Sequence, residues 1–142
     1  MAFITHKIPL SSKKPLELID VTNEILAFVH ETKIKNGLIN IMSAHTTASI
    51  CINESCAALE KDLLQFLKKL THQEQPYEHD KIASDGRPNS HSHLLSYLTG
   101  CQQTLPIVDG KIQLGTWQKI FFVELDGPRA QREITLSVLG EG

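Results

Sequence analysis

The stretch Leu38-Ile39-Asn40-Ile41-Met42-Ser43-Ala44-His45-Thr46-Thr47-Ala48-Ser49-Ile50-Cys51-Ile52-Asn53-Glu54 decides the reading of the fold. Its two apolar, isoleucine-rich runs, Leu38 to Met42 and Ala48 to Ile52, have the length and side chains of buried strands. Between them Ser43 to Thr47 is a polar interruption in apolar surroundings, and it contains a histidine.

Working outward, Val21, Ile25, Phe28 and Val29 recur at helical spacing and predict a helix over 21–33, capped by Asp20 or Thr22. Asn36-Gly37 reads as the turn that stops it. Ser55 is expected to cap a second helix from about Cys56 to Leu70, with Leu59, Leu63, Phe66, Leu67 and Leu70 on one stripe. A short helix is expected over 90–99, closed by Gly100. The remaining segments read as strands: Phe3 to Leu10, Pro15 to Ile19, Gln103 to Val108, Lys111 to Leu114, Trp117 to Leu125 and Glu133 to Leu139. No repeat or boundary divides residues 1–142. The expectation is one compact α+β domain with β-sandwich-like mixed sheets and two to three helices.

A chain of 142 residues and net charge −2 has no basic field for duplex nucleic acid. No apolar run is long enough to span a bilayer, and the start reads as no signal peptide. Cys51, Cys56 and Cys101 are odd in number and lack metal-type spacing, so small buried thiols in a reducing cytoplasm are expected.

Histidine carries the chemical signal. His79, His91 and His93 fall in the long polar stretch 71–89 and just past it, and a loop of that length in a compact domain is commonly functional. Three neutral imidazoles suit zinc or a similar metal. In extended chain, His-x-His puts both rings on one face, so the pair works best just before the helix. Glu78, Asp80 and Asp85 are candidate acceptors that fix imidazole tautomers, and Arg87 is a candidate phosphate ligand. His45 with Thr46, Thr47 and Ser49 could bind phosphate or sugar oxygens, and Glu54 could act as an acid–base group. Each of these also has a plain reading, as a solvated loop, a core histidine or a helix lead-in. Trp117 beside Gln118 is a candidate ring-stacking residue or simply a packed tryptophan. Asp126 to Arg129 reads as a turn presenting an arginine.

Ser43 to Ser49 with Asn53-Glu54, Asn89 to Leu94 with Gly100, and Gly115-Thr116-Trp117-Gln118 resemble, in order and spacing, the YjbQ family, the secondary thiamine-phosphate synthase group. The likeness extends through Glu124 to Glu141, with Gly127 and Arg129. It implies a cytoplasmic homotrimer whose histidines gather near a subunit boundary, with a divalent metal, zinc or alternatively magnesium, on three of His45, His79, His91 and His93. It implies polar site positions at Asn53, Glu54 and Asp85, the two carboxylates being catalytic candidates. The implied reaction is that of a transferase joining a pyrimidine diphosphate to a thiazole phosphate with loss of pyrophosphate. The small phosphorylated substrate would be held by Thr46, Thr47, Ser49, Asn53, Arg87, Trp117, Gln118 and Arg129. A zinc-dependent hydrolase and a non-catalytic metal- or anion-binding trimer are the alternatives.

Overall fold

The isoleucine-rich runs form strands because every second side chain has an apolar partner to meet. In the computed structural model, which describes residues 1–142, the chain runs β1 (Ala2–Leu10), β2 (Glu17–Asp20), α1 (Thr22–Thr32), β3 (Asn36–Ser43), β4 (Ala48–Glu54), α2 (Ala57–Leu70), α3 (Glu78–Ile82), α4 (Ser90–Thr99), β5 (Gln102–Val108), β6 (Lys111–Ile112), β7 (Gln118–Glu124) and β8 (Arg132–Glu141). Two sheets result, ordered β1-β8-β3-β5-β6 and β2-β7-β4. Every pairing is antiparallel, so the mixture lies in the order of helices and strands and not in strand direction.

The main core lies between the two sheets. Ile39 and Ile41 of β3, Ile134, Leu136 and Val138 of β8, and Ile50, Ile120 and Phe122 of the smaller sheet are fully buried there. Each such side chain contributes about 1.5–3 kcal/mol by leaving water. Helix α1 adds Ile25 and Val29 to this core. A second cluster joins Leu67 of α2 and Leu95 of α4 to Phe121, Val123 and Leu125, so helices cover the other side of the three-stranded sheet.

Some expectations change. Asn36-Gly37 is no turn: both residues lie in β3, and α1 stops at Lys33, whose φ is 58°. Gly37 is placed opposite Gly140 of β8, and a Cβ on either would run into the facing backbone. The glycine therefore serves close strand approach and not chain reversal. Gly37→Ala is expected to cost about 1–3 kcal/mol by overpacking, read as a lowered urea midpoint with unchanged slope.

The polar stretch 71–89 contains a fourth helix, α3, which the periodicity over five residues was too short to reveal. Ser55 does not cap α2, which starts after Cys56 without a side-chain cap. Asp20 is the residue that acts ahead of α1, its Oδ1 accepting the Thr22 N–H at 3.0 Å. Two of the three cysteines, Cys56 and Cys101, are exposed. Cys51 is half-buried, and burial pushes its thiol up to about 11.

Candidate functional site

The polar interruption between β3 and β4 opens one end of the two-sheet stack. There the chain places Ala44 to Thr47 against α3, the start of α4 and the segment after β7. These walls enclose a hollow of about 360 Å³ lined by His45, Thr46, Thr47, His79, Asp85, Asn89, His93, Arg129 and Arg132, among others.

Helix pairing brings the imidazoles together. Asp80 of α3 accepts hydrogen bonds at its Oδ1 from the Ser90 N–H and hydroxyl, at 3.0 and 2.6 Å. These bonds hold its carboxyl below the ordinary range. They dock α3 on the first turn of α4, and His79 meets His93 edge to face with ring centroids 4.8 Å apart.

Behind His79 runs a chain of hydrogen bonds. Asn89 Nδ2 donates to Asp126 Oδ2 at 2.8 Å, which leaves Asn89 Oδ1 to accept. His79 Nε2 lies 3.2 Å from that oxygen and must carry the proton. In the neutral ring, Nδ1 of His79 is then the bare lone pair, the form needed for a metal ligand or a base. His45 is fixed the other way round. Its Nε2 accepts the Glu133 backbone N–H at 3.0 Å, so Nδ1 carries the proton and acts as a donor. Burial, then the charge of Arg132, lowers its pKa below 6.5 and keeps the ring neutral near pH 7.

The cations are already engaged. Asp126 accepts Arg87 at 3.0 Å and Arg129 at 2.7 Å. Glu124, with no exposed surface, accepts Nε of Arg132 at 2.8 Å, a second Arg132 donor, and the Ser12 hydroxyl at 2.7 Å. Arg132 in turn reaches Thr47 Oγ1 at 3.0 Å. Burial alone raises both carboxyls, but these donors outweigh it and hold Glu124 and Asp126 below their ordinary values.

The expected site residues therefore separate. His45, Thr46, Thr47, His79, Asp85, His93 and Arg129 share the hollow. His91 does not. His91 and His93 are inside α4, where residues two apart point about 200° from each other, so the extended-chain expectation fails. His91 faces a separate hollow beside Gln73, 3.3 Å away. Ser49 is fully buried and accepts the Thr99 hydroxyl at 2.9 Å, a packing role. Arg87 is turned to Asp126 and does not line the hollow. Asn53, Glu54, Trp117 and Gln118 gather at the far end of the smaller sheet, where Glu54 pairs with Gln118. Seven residues of β4 put that end roughly 20 Å from Ala48. Trp117 is 72% exposed, and the Gln118 amide is occupied by the Gly115 N–H at 2.7 Å.

As for a metal, His79 Nδ1 and both ring nitrogens of His93 are free of protein partners, while His45 Nε2 is committed. No three His, Cys, Asp or Glu side chains of one chain converge at ligand distance. Within one chain, the side chains that face this hollow with ring nitrogens free of other partners are the imidazoles of His79 and His93.

Asn89, Asp126, Glu124, Ser12 and Arg132 escaped the sequence reading. In the sequence the turn Asp126 to Arg129 signals only its arginine, and the oxygen that holds the His79 proton lies ten residues away on Asn89. The one available signal was charge inside an apolar strand, Glu124 after Phe121-Phe122-Val123.

Fold and hollow together define a class, a helix-backed pair of antiparallel sheets with imidazoles gathered at one end. The chain belongs to the YjbQ family: the family model described as UPF0047 protein YjbQ-like matches residues 6–141. A UPF0047 protein of Methanothermobacter thermautotrophicus is 39% identical over 141 residues, covering 99% of this chain and 95% of its own. The crystal structure of a YbjQ-like protein of unknown function from Sulfolobus solfataricus superposes with a TM-score of 0.94 at 38% identity, covering 99% of each chain. A hypothetical protein of Aeropyrum pernix has a TM-score of 0.91 at 34% identity, covering 97% of this chain and 99% of its own.

Proposed function

We propose that the histidine hollow binds a small phosphorylated molecule and that His79 and His93 hold a divalent metal there, zinc in preference to magnesium. The observation that carries this reading is the chain Asp126–Asn89–His79, which fixes His79 with a bare Nδ1 beside the unbonded ring of His93. Imidazole nitrogen suits zinc, whereas magnesium prefers carboxylate and water oxygens.

Charge supports the same reading. The arginines around the hollow are paired with Asp126 and Glu124, so a dianionic phosphate finds little surplus positive charge. A bound metal supplies it and acts as a Lewis acid toward a phosphate oxygen. His45 Nδ1–H, the Thr46 hydroxyl and Arg129 line the same hollow and would supply donors to the remaining oxygens.

The more specific reaction, displacement of pyrophosphate from a pyrimidine diphosphate by a thiazole phosphate, is supported by the family resemblance and by these phosphate donors. Within one chain it has no stacking ring at the hollow, since Trp117 lies at the other end. A zinc-dependent hydrolase is the second reading. It is favoured by Asp85, a carboxylate that lines the hollow and could serve as base, in place of the distant Glu54. We propose assembly as a homotrimer on the resemblance, and a cytoplasmic setting on the three free thiols. No helix is long and apolar enough to cross a membrane.

Elemental analysis of untagged protein, followed by calorimetric titration with inorganic pyrophosphate, tests the proposal. Near-stoichiometric zinc and pyrophosphate binding that weakens after chelation are expected. Protein that takes up no transition metal after incubation with zinc sinks the metal part. Metal without any pyrophosphate binding sinks the phosphate part.

A further inference from the structure

Helix α1 bridges the two sheets, packing on β6 at the edge of the larger one and on β7 in the middle of the smaller one. Leu26, Val29 and His30 share one face of this helix, as residues three and four apart do. Opposite them the chain from Gly110 to Lys119 passes through β6 and turns into β7. These two walls enclose a hollow of about 420 Å³ that has no residue in common with the histidine hollow. Its size falls within the roughly 300–1,000 Å³ of small-ligand sites.

Its chemistry is divided. Val29 and Ile112 form a floor with 2% and 7% of their surface exposed, and Leu26 and Leu114 stand beside them. The titratable side chains that line it are His30, Lys111 and Lys119. Asp20, Glu24, Glu31, Glu54 and Asp109, on the bordering segments, are not among its walls. Neither lysine is in an ion pair, although Lys119 is half-buried. A half-buried ammonium gives up part of its hydration, a loss that an anionic partner offsets. In a chain of net charge −2, a concave surface with two unpaired lysines and no carboxylate is a local reversal of sign.

We propose that this hollow binds a small organic anion, with its apolar body on the Val29–Ile112 floor and its charged head at Lys111 and Lys119. Either half alone is weak. The lysines are point charges that salt screens, and the open apolar floor holds a neutral molecule loosely. A ligand that joins the two halves gains from both. A sugar or a nucleoside finds little to pair with here, because the Gly115 N–H and the Gln118 amide oxygen already satisfy each other at 2.7 Å. Gln118 is also paired with Glu54 at the end of the smaller sheet away from His45, so an occupant leaves the histidine hollow open.

The test is calorimetric titration with octanoate, acetate and 1-octanol on wild type, Lys111→Gln/Lys119→Gln and Leu26→Gln. Octanoate is expected to bind the wild type about 10-fold or more tighter than either acetate or 1-octanol. The lysine pair is expected to weaken octanoate about 10-fold. Leu26→Gln, which keeps the helix preference, is expected to weaken it about 3–10-fold. Saturating pyrophosphate should leave octanoate affinity unchanged. No saturable octanoate binding, or binding at full strength in the lysine pair, overturns the site. Acetate or 1-octanol bound as tightly as octanoate overturns the two-part ligand. Competition by pyrophosphate would put octanoate in the histidine hollow and overturn the separate site.

Discussion

Glu124→Ala lowers the unfolding free energy by about 3–5 kcal/mol, because it leaves the Arg132 guanidinium buried without its counter-charge. For a domain of this size that is a fall in melting temperature of roughly 10–20 °C. The loss has three structural parts. Glu124 accepts from Arg132, from the Ser12 hydroxyl and, at 3.0 Å, from the Asp126 N–H, so its removal loosens the segment after β7 as well. Ser12 Oγ also accepts the Arg129 N–H at 2.9 Å, which ties that segment to the end of β1. Calorimetry of Glu124→Ala, Arg132→Met and the double variant Glu124→Leu/Arg132→Met makes the argument decisive. The double variant is expected to be more stable than either single one, since no unpaired charge remains in it. If the single losses simply add, the pair is not coupled and the argument fails.

The same network sets the acid limit of the fold. Glu124 and Asp126 have folded pKa values below their unfolded values of about 4.3 and about 3.9. Their contribution is therefore complete above the unfolded values and is lost as pH falls through the folded ones. In Glu124→Ala the steep loss of stability in that acid range should become shallower.

His79→Ala is expected to abolish zinc binding within the measurable range, and Asn89→Ala to weaken it about 10–100-fold. The gradation follows from geometry. His79 supplies the nitrogen itself, while Asn89 Oδ1 only holds the proton on Nε2 and so keeps Nδ1 bare. His91→Ala, on the opposite side of α4, should leave affinity unchanged. Calorimetric zinc titration of the three folded variants separates the possibilities. Equal losses in His79→Ala and His91→Ala would mean that the His79–His93 hollow is not where the ion sits.

The sequence by itself determined the α+β class, most strands and the long helices. Leu38 to Glu54 is an instructive case: alternation and β-branching are local properties, and the polar break at 43–47 marks where the two strands part. Separate local signals picked out the rest: the polar break for His45, Thr46 and Thr47, the histidines in and just past a long polar stretch for His79, Asp85 and His93, and a turn for Arg129. Tertiary structure alone decided which of them meet. Whether His91 or His93 faces the hollow depends on one helix starting at Ser90, a single-residue boundary that moves a side chain through about 100°. Asp126 came to back His79 through Asn89 only because three separate segments converge at one end of the sheets, the Asn89–Asp126 contact having a separation of 37 residues that no local pattern encodes. Glu54 shows the converse. It lies nine positions after His45 in the chain, but an extended β4 carries it to the opposite end, beside Gln118, since every residue of strand adds about 3.3 Å.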